Sequence, residues 1–138
     1  SAWNGSGVNF VRGANTSVSQ KGLDGRNILS WGRTSGSALA VTYTWYYPAT
    51  GLVAEVDTIF NKRFNWSWSP YSASACVNNN TYDVQNILTH ELGHWMGLND
   101  TYTSSYVNNT MYGYGAVGEI KKDTLTVGDT LGLDVIYP

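Results

Sequence analysis

The sequence predicts an α+β fold, with strands in the first half of the chain and helices in the second. Residues 39–47 (Leu-Ala-Val-Thr-Tyr-Thr-Trp-Tyr-Tyr) are rich in the β-branched and aromatic residues that favour strands. Residues 82–96 and 127–136 instead place apolar side chains at helical spacing. Since the 138 residues contain no internal repeat and no linker, we expect one domain that spans residues 1–138.

Turn signals divide the first half into three predicted strands. The apolar run Ile28 to Trp31 follows Asp24-Gly25, and residues 39–47 are followed by Pro48-Ala49-Thr50-Gly51, which predicts a hairpin turn. Residues 52–61 fit both strict alternation and helical spacing. The preceding turn and their β-branched content favour a strand.

Capping residues mark where the two helices begin. Residues 62–81 form a polar, aromatic loop, after which Asp83 can cap the first turn of a helix over about residues 82–96 or complement its dipole. Thr126 and Asp129 resemble a capping box at the start of the last helix, with Asp in the usual place of Glu.

The composition is that of a globular protein, with 42% hydrophobic and 13% charged residues. The net charge of −2, without a basic patch, argues against nucleic acid as a partner, and no apolar run approaches the roughly 18 residues of a membrane span. The sparse charge and the many Asn, Ser and Thr residues lead us to expect a secreted prokaryotic monomer whose signal peptide and any propeptide lie outside this chain. Cys76, the only cysteine, cannot form an internal disulfide, and we interpret it as a buried thiol.

One motif carries the functional prediction. His90 and His94, the only histidines, stand four residues apart in the pattern H-E-x-x-H, with Glu91 after the first. On a helix, positions i and i+4 share one face, so both imidazoles can bind one metal ion. Their nitrogen atoms suit zinc, and Glu91 can reach a water molecule bound to that metal as a general base.

Two histidines are not enough to hold zinc well, and the chain has no third. Gly97 can end the helix in the left-handed conformation, and this turn could bring Asp100 back to the metal as the third ligand. Three protein ligands leave a fourth position for water, which is typical of catalytic zinc sites. The spacing therefore predicts one catalytic zinc ion bound by His90, His94 and Asp100, with a water molecule that Glu91 deprotonates.

The eleven residues from His90 to Asp100 (His-Glu-Leu-Gly-His-Trp-Met-Gly-Leu-Asn-Asp) resemble the extended zinc motif of the metzincin metallopeptidases, and the final aspartate is similar to that of the snapalysins. The resemblance implies further site residues. Tyr102 matches a snapalysin tyrosine whose hydroxyl lies near the metal and helps to stabilise the oxyanion. Met111 lies in a segment similar to the Met-turn (Asn-Thr-Met-Tyr-Gly-Tyr), and Asp129 matches a matrixin aspartate that supports that turn.

The same resemblance implies a mixed β-sheet, an active-site helix, a Met-turn and a C-terminal helix. No convincing helix precedes residue 82, so the first backing helix of such domains is absent unless residues 52–64 form it. Gly128 stands where matrixins usually carry a second aspartate, which pairs with the new N-terminus after activation. This activation-dependent ion pair is therefore not expected here. The implied function is a secreted zinc endopeptidase. Its polypeptide substrate would lie extended beside an edge strand, for which residues 52–61 are a candidate.

Other interpretations remain open. An inactive metzincin-like binding or adhesion module would keep the metal, although an intact Glu91 argues against it. A purely structural zinc domain is disfavoured by the open fourth position and the absence of cysteine ligands. Glu119 is a candidate third ligand in place of Asp100, but its surroundings predict an exposed turn.

Calcium is a second candidate cofactor, although turn chemistry explains its candidate oxygen ligands equally well. These candidates are Asp24, Asn27, Asn78, Asn80 and Asp83.

Overall fold

The computed structural model describes residues 2–4 and 7–138, which form a small α+β fold with a mixed sheet and two helices, as predicted. The elements in chain order are β1 (Ile28–Gly32), β2 (Ala40–Tyr46), β3 (Val53–Asn61), β4 (Trp66–Ser67), β5 (Tyr82–Asp83), α1 (Val84–Trp95), the 3-10 turns Ser104–Tyr106 and Lys121–Asp123, and α2 (Val127–Ile136). They fall into two compact units. The sheet unit contains residues 13–63, and the helical unit contains residues 1–12 and 64–138. The expectation of one domain over residues 1–138 stays a prediction.

In the sheet unit, β3 lies between the other two strands. It pairs with β1 in parallel, with Ile28 opposite Asp57, and with β2 in antiparallel, with Val41 opposite Ile59. The strand predicted over residues 52–61 is therefore confirmed, and its helical alternative is wrong. Its predicted role as an edge strand is also wrong, because β3 forms hydrogen bonds with a neighbour on both sides.

The predicted hairpin turn joins β2 to β3. The Gly51 N–H donates to the carbonyl of Tyr47 at 2.8 Å, and Gly51 has a φ of 71°, a conformation that a glycine adopts without steric cost. Turn residues thus reverse the chain directly after β2, which is why β2 and β3 pair in antiparallel.

Two buried carboxylates on β3 hold the loop before β1. Glu55 accepts the backbone N–H groups of Asp24 and Gly25, at 3.0 and 2.6 Å. Asp57 accepts those of Gly22 and Ile28, at 3.0 and 3.1 Å. Burial raises the pKa of Asp57, although these hydrogen bonds act in the opposite direction. The two carboxylates therefore fix this loop to β3 through four backbone N–H groups.

In the helical unit, α1 begins two residues later than predicted. Tyr82 and Asp83 form β5, which pairs with the short strand β4 inside the predicted loop. Asp83 then caps the helix, because one of its carboxylate oxygens accepts the N–H of Asn86 at 2.9 Å and the other that of Ser69 at 2.6 Å. Before α1, the described residues contain no helix, so the predicted absence of an earlier helix is confirmed for them.

The core of the helical unit packs against the face of α1 that carries Leu92. Its buried side chains are those of Trp3, Leu92, Met96, Met111 and Leu133. Trp3 is fully buried, and its indole N–H donates to the carbonyl of Thr89 at 2.6 Å. Neither helix within residues 2–4 and 7–138 combines the length and the apolar character that a membrane crossing needs.

Candidate metal centre

Three side chains converge at one end of α1. The Nε2 atoms of His90 and His94 lie 3.1 and 3.5 Å from Oδ1 of Asp100. Each residue offers one ligand atom, and these atoms all lie within 4.8 Å of one another. Among the described residues, no other cluster of three or more His, Cys, Asp or Glu side chains could hold a metal ion. His90, His94 and Asp100 are therefore a possible metal-binding group.

Backbone carbonyls orient both histidine rings. Nδ1 of His90 lies 2.7 Å from the carbonyl oxygen of Thr110, and Nδ1 of His94 lies 2.8 Å from that of Leu98. A carbonyl oxygen can only accept, so each Nδ1 carries the hydrogen and donates it. In the neutral rings the lone pairs are consequently on Nε2, which are the atoms that face Asp100.

The charges at this site favour a cation. Hydrogen bonds from His90 and His94, which form when a ring also carries a proton on Nε2, hold the pKa of Asp100 well below its usual range. Burial by itself lowers the pKa of His94, but the hydrogen bond to Asp100 and the charge of Glu91 outweigh burial and raise it. Two imidazole nitrogens and one carboxylate oxygen form a donor set that fits zinc.

The end of α1 explains how Asp100 returns to the histidines. Gly97 has a φ of 90°, its N–H donates to the carbonyl of His94 at 3.0 Å, and the N–H of Leu98 donates to that of Gly93 at 3.1 Å. These two bonds are those of a Schellman motif, which reverses the chain after a helix. The same turn presents the Leu98 carbonyl to the His94 ring, so it both places Asp100 and orients His94.

Glu91 and Tyr102 flank the three converging side chains. Glu91 is buried on α1, between the two histidines in sequence, and its charge contributes to the raised pKa of His94. Tyr102 is 56% exposed, and its hydroxyl donates to Oδ2 of Asp100 at 3.0 Å. This hydrogen bond raises the pKa of Tyr102. A Cβ at Gly113 would stand 2.4 Å from the Tyr102 ring, so the glycine leaves room for the tyrosine beside Asp100.

Met111 packs against α1 between the two histidines. A Cβ at Gly93 would stand 2.2 Å from Sδ of Met111, so the thioether lies directly on the helix backbone. The two carboxylate oxygens of Asp129 accept the N–H groups of Thr110 and Met111 at 3.0 and 3.1 Å. Asp129 also accepts the N–H of Thr126 at 2.8 Å, as the predicted capping box of α2 requires. One carboxylate therefore holds both the Met111 segment and the start of α2.

Glu119 differs from the prediction of an exposed turn residue. Its side chain is only 14% exposed, and it accepts a hydrogen bond from Nδ2 of Asn86 at 3.2 Å. It also lies 3.4 Å from the Lys121 ammonium. Glu119 is not part of the group formed by the two histidines and Asp100.

Four of the calcium candidates have hydrogen-bond or ion-pair partners within the protein. Asn27 accepts the N–H of Val56 at 2.8 Å, and Asn78 accepts that of Asn80 at 3.0 Å. Asp24 pairs with Arg26 at 2.6 Å, while Asp83 caps α1. The contacts of Asp24, Asn78 and Asp83 agree with the turn interpretation, whereas Asn27 bonds to a distant strand, and calcium binding stays a prediction. Cys76 is buried as expected, and its thiol donates to the carbonyl of Asn78 at 3.3 Å.

Several groups that support the site carry no signal that would predict their role from the sequence. The carbonyls of Thr110 and Leu98 have no sequence signal, because every residue carries one. Lys122 is 1% exposed, and its Nζ donates to the carbonyl of Tyr112. The surrounding sequence Glu-Ile-Lys-Lys-Asp is typical of an exposed charged turn. A buried lysine could therefore not be recognised there from the sequence.

Comparison of the chain with protein-family models, with curated proteins and with solved structures gives no match. The resemblance to metzincins therefore rests on the motif residues of the sequence alone.

Proposed function

We propose that the chain is a secreted zinc-dependent endopeptidase of the metzincin type. The observation that carries the proposal is the convergence of both histidine Nε2 atoms on Asp100, with both Nδ1 atoms bound to backbone carbonyls. A surface helix with unrelated histidines has no reason to satisfy both ring nitrogens in this way. A buried Glu91 on the same helix adds the general base that hydrolysis needs.

His90, His94 and Asp100 would hold the zinc ion. Bound zinc supplies a positive charge that lowers the pKa of a water molecule to about 7 and polarises the scissile carbonyl. The carboxylate of Glu91 takes a proton from the attacking water as its oxygen bonds to the carbonyl carbon. It then delivers that proton to the amide nitrogen as the C–N bond breaks. The exposed hydroxyl of Tyr102 can turn its hydrogen from Asp100 to the carbonyl oxygen as negative charge develops there.

The first test measures hydrolysis of unfolded casein with and without a zinc chelator, and in Glu91→Gln. We expect the chelator to stop hydrolysis and Glu91→Gln to reduce kcat by about 10²–10⁴-fold, with zinc content unchanged. Hydrolysis that survives either change would refute the mechanism. A wild-type protein that binds zinc tightly but hydrolyses no peptide bond would support the inactive binding or adhesion module instead.

The second test concerns the third ligand. Asp100→Ala should raise the zinc dissociation constant by at least about 10-fold, because two histidines alone hold zinc weakly. Asp134→Ala, a change at an exposed aspartate of α2, is the matched control. If Asp100→Ala binds zinc as tightly as the control, the third ligand lies elsewhere.

A further inference from the structure

We propose that Lys122 is a positioning residue for the metal centre, because it ties down residues 110–113, the segment that connects His90 to the loop carrying Asp100. The inference deepens the proposed zinc function and rests on it. Lys122 belongs to the 3-10 turn Lys121–Asp123, and no step of the proposed chemistry uses it.

A buried lysine needs a compensating contact. Lysine is almost never fully buried unless it is paired, because transfer of an ammonium group out of water is costly. Lys122 is 1% exposed, and its Nζ donates to the carbonyl of Tyr112. Burial lowers the pKa of Lys122, while the negative charges of Glu119, Asp100 and Glu91 act in the opposite direction.

The backbone of Lys122 makes two more contacts across the helical unit. Its N–H donates to Oδ1 of Asn86 on α1 at 2.7 Å. Its carbonyl accepts the hydroxyl of Thr110 at 3.4 Å, and the same hydroxyl lies 3.1 Å from the carbonyl of Thr124. Lys122 thus connects the first turn of α1 to both Thr110 and Tyr112, the residues on either side of Met111.

The segment that Lys122 holds controls two of the three ligands. The Thr110 carbonyl orients the His90 ring. The carbonyl of Met111 accepts the N–H of Thr101 at 2.8 Å, and the N–H of Gly113 donates to the carbonyl of Thr101 at 3.0 Å. Thr101 directly follows Asp100, so a shift of the segment would move His90 and Asp100 relative to each other.

Lys122 complements the contact that Asp129 makes. Asp129 accepts the N–H groups of Thr110 and Met111, whereas Lys122 donates to the carbonyl of Tyr112. Lys122→Met keeps most of the buried volume but leaves that carbonyl without its ammonium donor. The far end of the segment would then be held only by its backbone hydrogen bonds to Thr101.

The experiment compares Lys122→Met with Lys121→Met. Lys121 is the matched control, since it is the adjacent lysine and its ammonium donates to a different carbonyl, that of Val107, at 2.6 Å. Amide hydrogen exchange at Thr101 and Gly113 is measured in the metal-free proteins, and the zinc dissociation constant by competition with a chelating dye. In Lys122→Met we expect exchange to be about 10-fold faster and the zinc dissociation constant to rise by about 10–100-fold. Lys121→Met should change both by less than about 2-fold.

Each outcome decides for or against the proposal. Unchanged exchange or unchanged zinc affinity in Lys122→Met would overturn it, and tighter zinc binding would show that Lys122 acts only as a charge that repels the metal. If Lys122→Met does not fold, Thr110→Val removes the hydroxyl contact to the Lys122 carbonyl, and the same two measurements should shift in the same direction. Their constancy would overturn the proposal. A wild-type protein that binds no zinc would refute the proposed function together with this inference, whereas zinc affinity that survives in Lys122→Met refutes the inference alone.

Discussion

At the residue scale, the histidine rings are set by backbone groups as much as by side chains. Thr110 and Leu98 each contribute a carbonyl that fixes the Nδ1 hydrogen of one ring. The rings meet nearly edge to face, at an interplanar angle of 89° and a centroid distance of 4.8 Å. Such contacts orient the ligands before a metal arrives, which reduces the entropy lost on binding.

The pKa of His94 gives a test at this scale. In the metal-free protein, Asp100→Asn should lower this pKa, because it removes a carboxylate whose hydrogen bond and charge help to outweigh the effect of burial. The pKa of His94 is higher in the folded protein than in the unfolded chain. Its protonation therefore stabilises the folded state fully at pH values below the unfolded pKa, and this stabilisation is lost as pH rises through the folded pKa. Zinc needs the neutral ring, so its affinity should weaken as pH falls through the same pKa. NMR titration of the ring protons measures the shift, and an unchanged pKa in Asp100→Asn would contradict the assigned cause.

Gly93 gives a second residue-scale test. Alanine normally favours a helix over glycine by about 1 kcal/mol. At Gly93, however, the new methyl would stand 2.2 Å from Sδ of Met111 and 2.9 Å from the Trp3 ring. We expect Gly93→Ala to lower the free energy of unfolding by about 1–3 kcal/mol in urea denaturation without metal.

Gly132→Ala is the control for Gly93→Ala. Its methyl would approach only Cδ2 of Leu98, at 3.0 Å, and a terminal leucine methyl can move aside. We expect little change or a small gain in stability for this variant. If both substitutions have the same effect, Met111 and Trp3 do not pack on α1 as described.

At the scale of elements, the start of α1 is packed against the 3-10 turn Lys121–Asp123 by buried polar groups. Asn86 of α1 accepts the N–H of Lys122 and donates to Glu119. Asp123 is 5% exposed, and its Oδ1 has no hydrogen-bond partner among the described residues. Burial, with a smaller contribution from the charge of Asp83, raises the pKa of Asp123 to about 7. We therefore expect the stability of the protein to depend on the protonation of Asp123.

Asp123→Asn tests that sensitivity. A carboxyl whose folded-state pKa is raised holds a proton that the unfolded chain has lost, so stability falls as pH rises from the ordinary aspartate range to about 7. The neutral amide removes this dependence. We expect the difference in free energy of unfolding between pH 5 and pH 8 to shrink by about 1–3 kcal/mol relative to wild type. Urea denaturation at both pH values provides the measurement, with Asp134→Asn as the exposed control, and an unaltered pH dependence would argue against a protonated Asp123.

At the scale of the whole molecule, the candidate metal centre and the three-stranded sheet belong to different units. His90, Glu91, His94 and Asp100 all lie in the helical unit, together with the Trp3 segment, Met111 and α2. The sheet unit contains the buried strand β3 and the loop before β1, which is bound by the carboxylates of Glu55 and Asp57. A ligand that binds the helical unit stabilises the folded state of that unit directly.

Zinc should therefore protect the two units unequally. At a free zinc concentration about 100 times the dissociation constant, the stabilisation is about 2.7 kcal/mol. Hydrogen exchange should slow most at amides of residues 84–113, which contain the ligands and the Met111 segment, and less at residues 53–61 of β3. Magnesium at the same concentration is the control, since it prefers all-oxygen ligands. Equal protection of both ranges would show that the units unfold together, and no protection would argue against zinc binding.

The sequence by itself was sufficient for features that depend on local spacing. Alternation and turn residues predicted β2, the hairpin turn and β3, and capping residues predicted α2 at its observed bounds. The H-E-x-x-H spacing predicted that two imidazoles share a helical face, and Gly97 predicted the reversal that follows. These predictions are correct because each feature depends on a few neighbouring residues, and no distant contact overrides their conformational preferences.

Tertiary structure alone decided which distant groups meet. It placed β3 in the centre of its sheet, because pairing on both sides depends on two other strands. It buried Trp3 against α1, 86 residues away, and it buried Lys122 under the carbonyl of Tyr112. It also brought the Thr110 carbonyl to His90. A carbonyl or a lysine looks the same in any sequence, and only packing in three dimensions determines whether it faces water or a ligand of the metal centre.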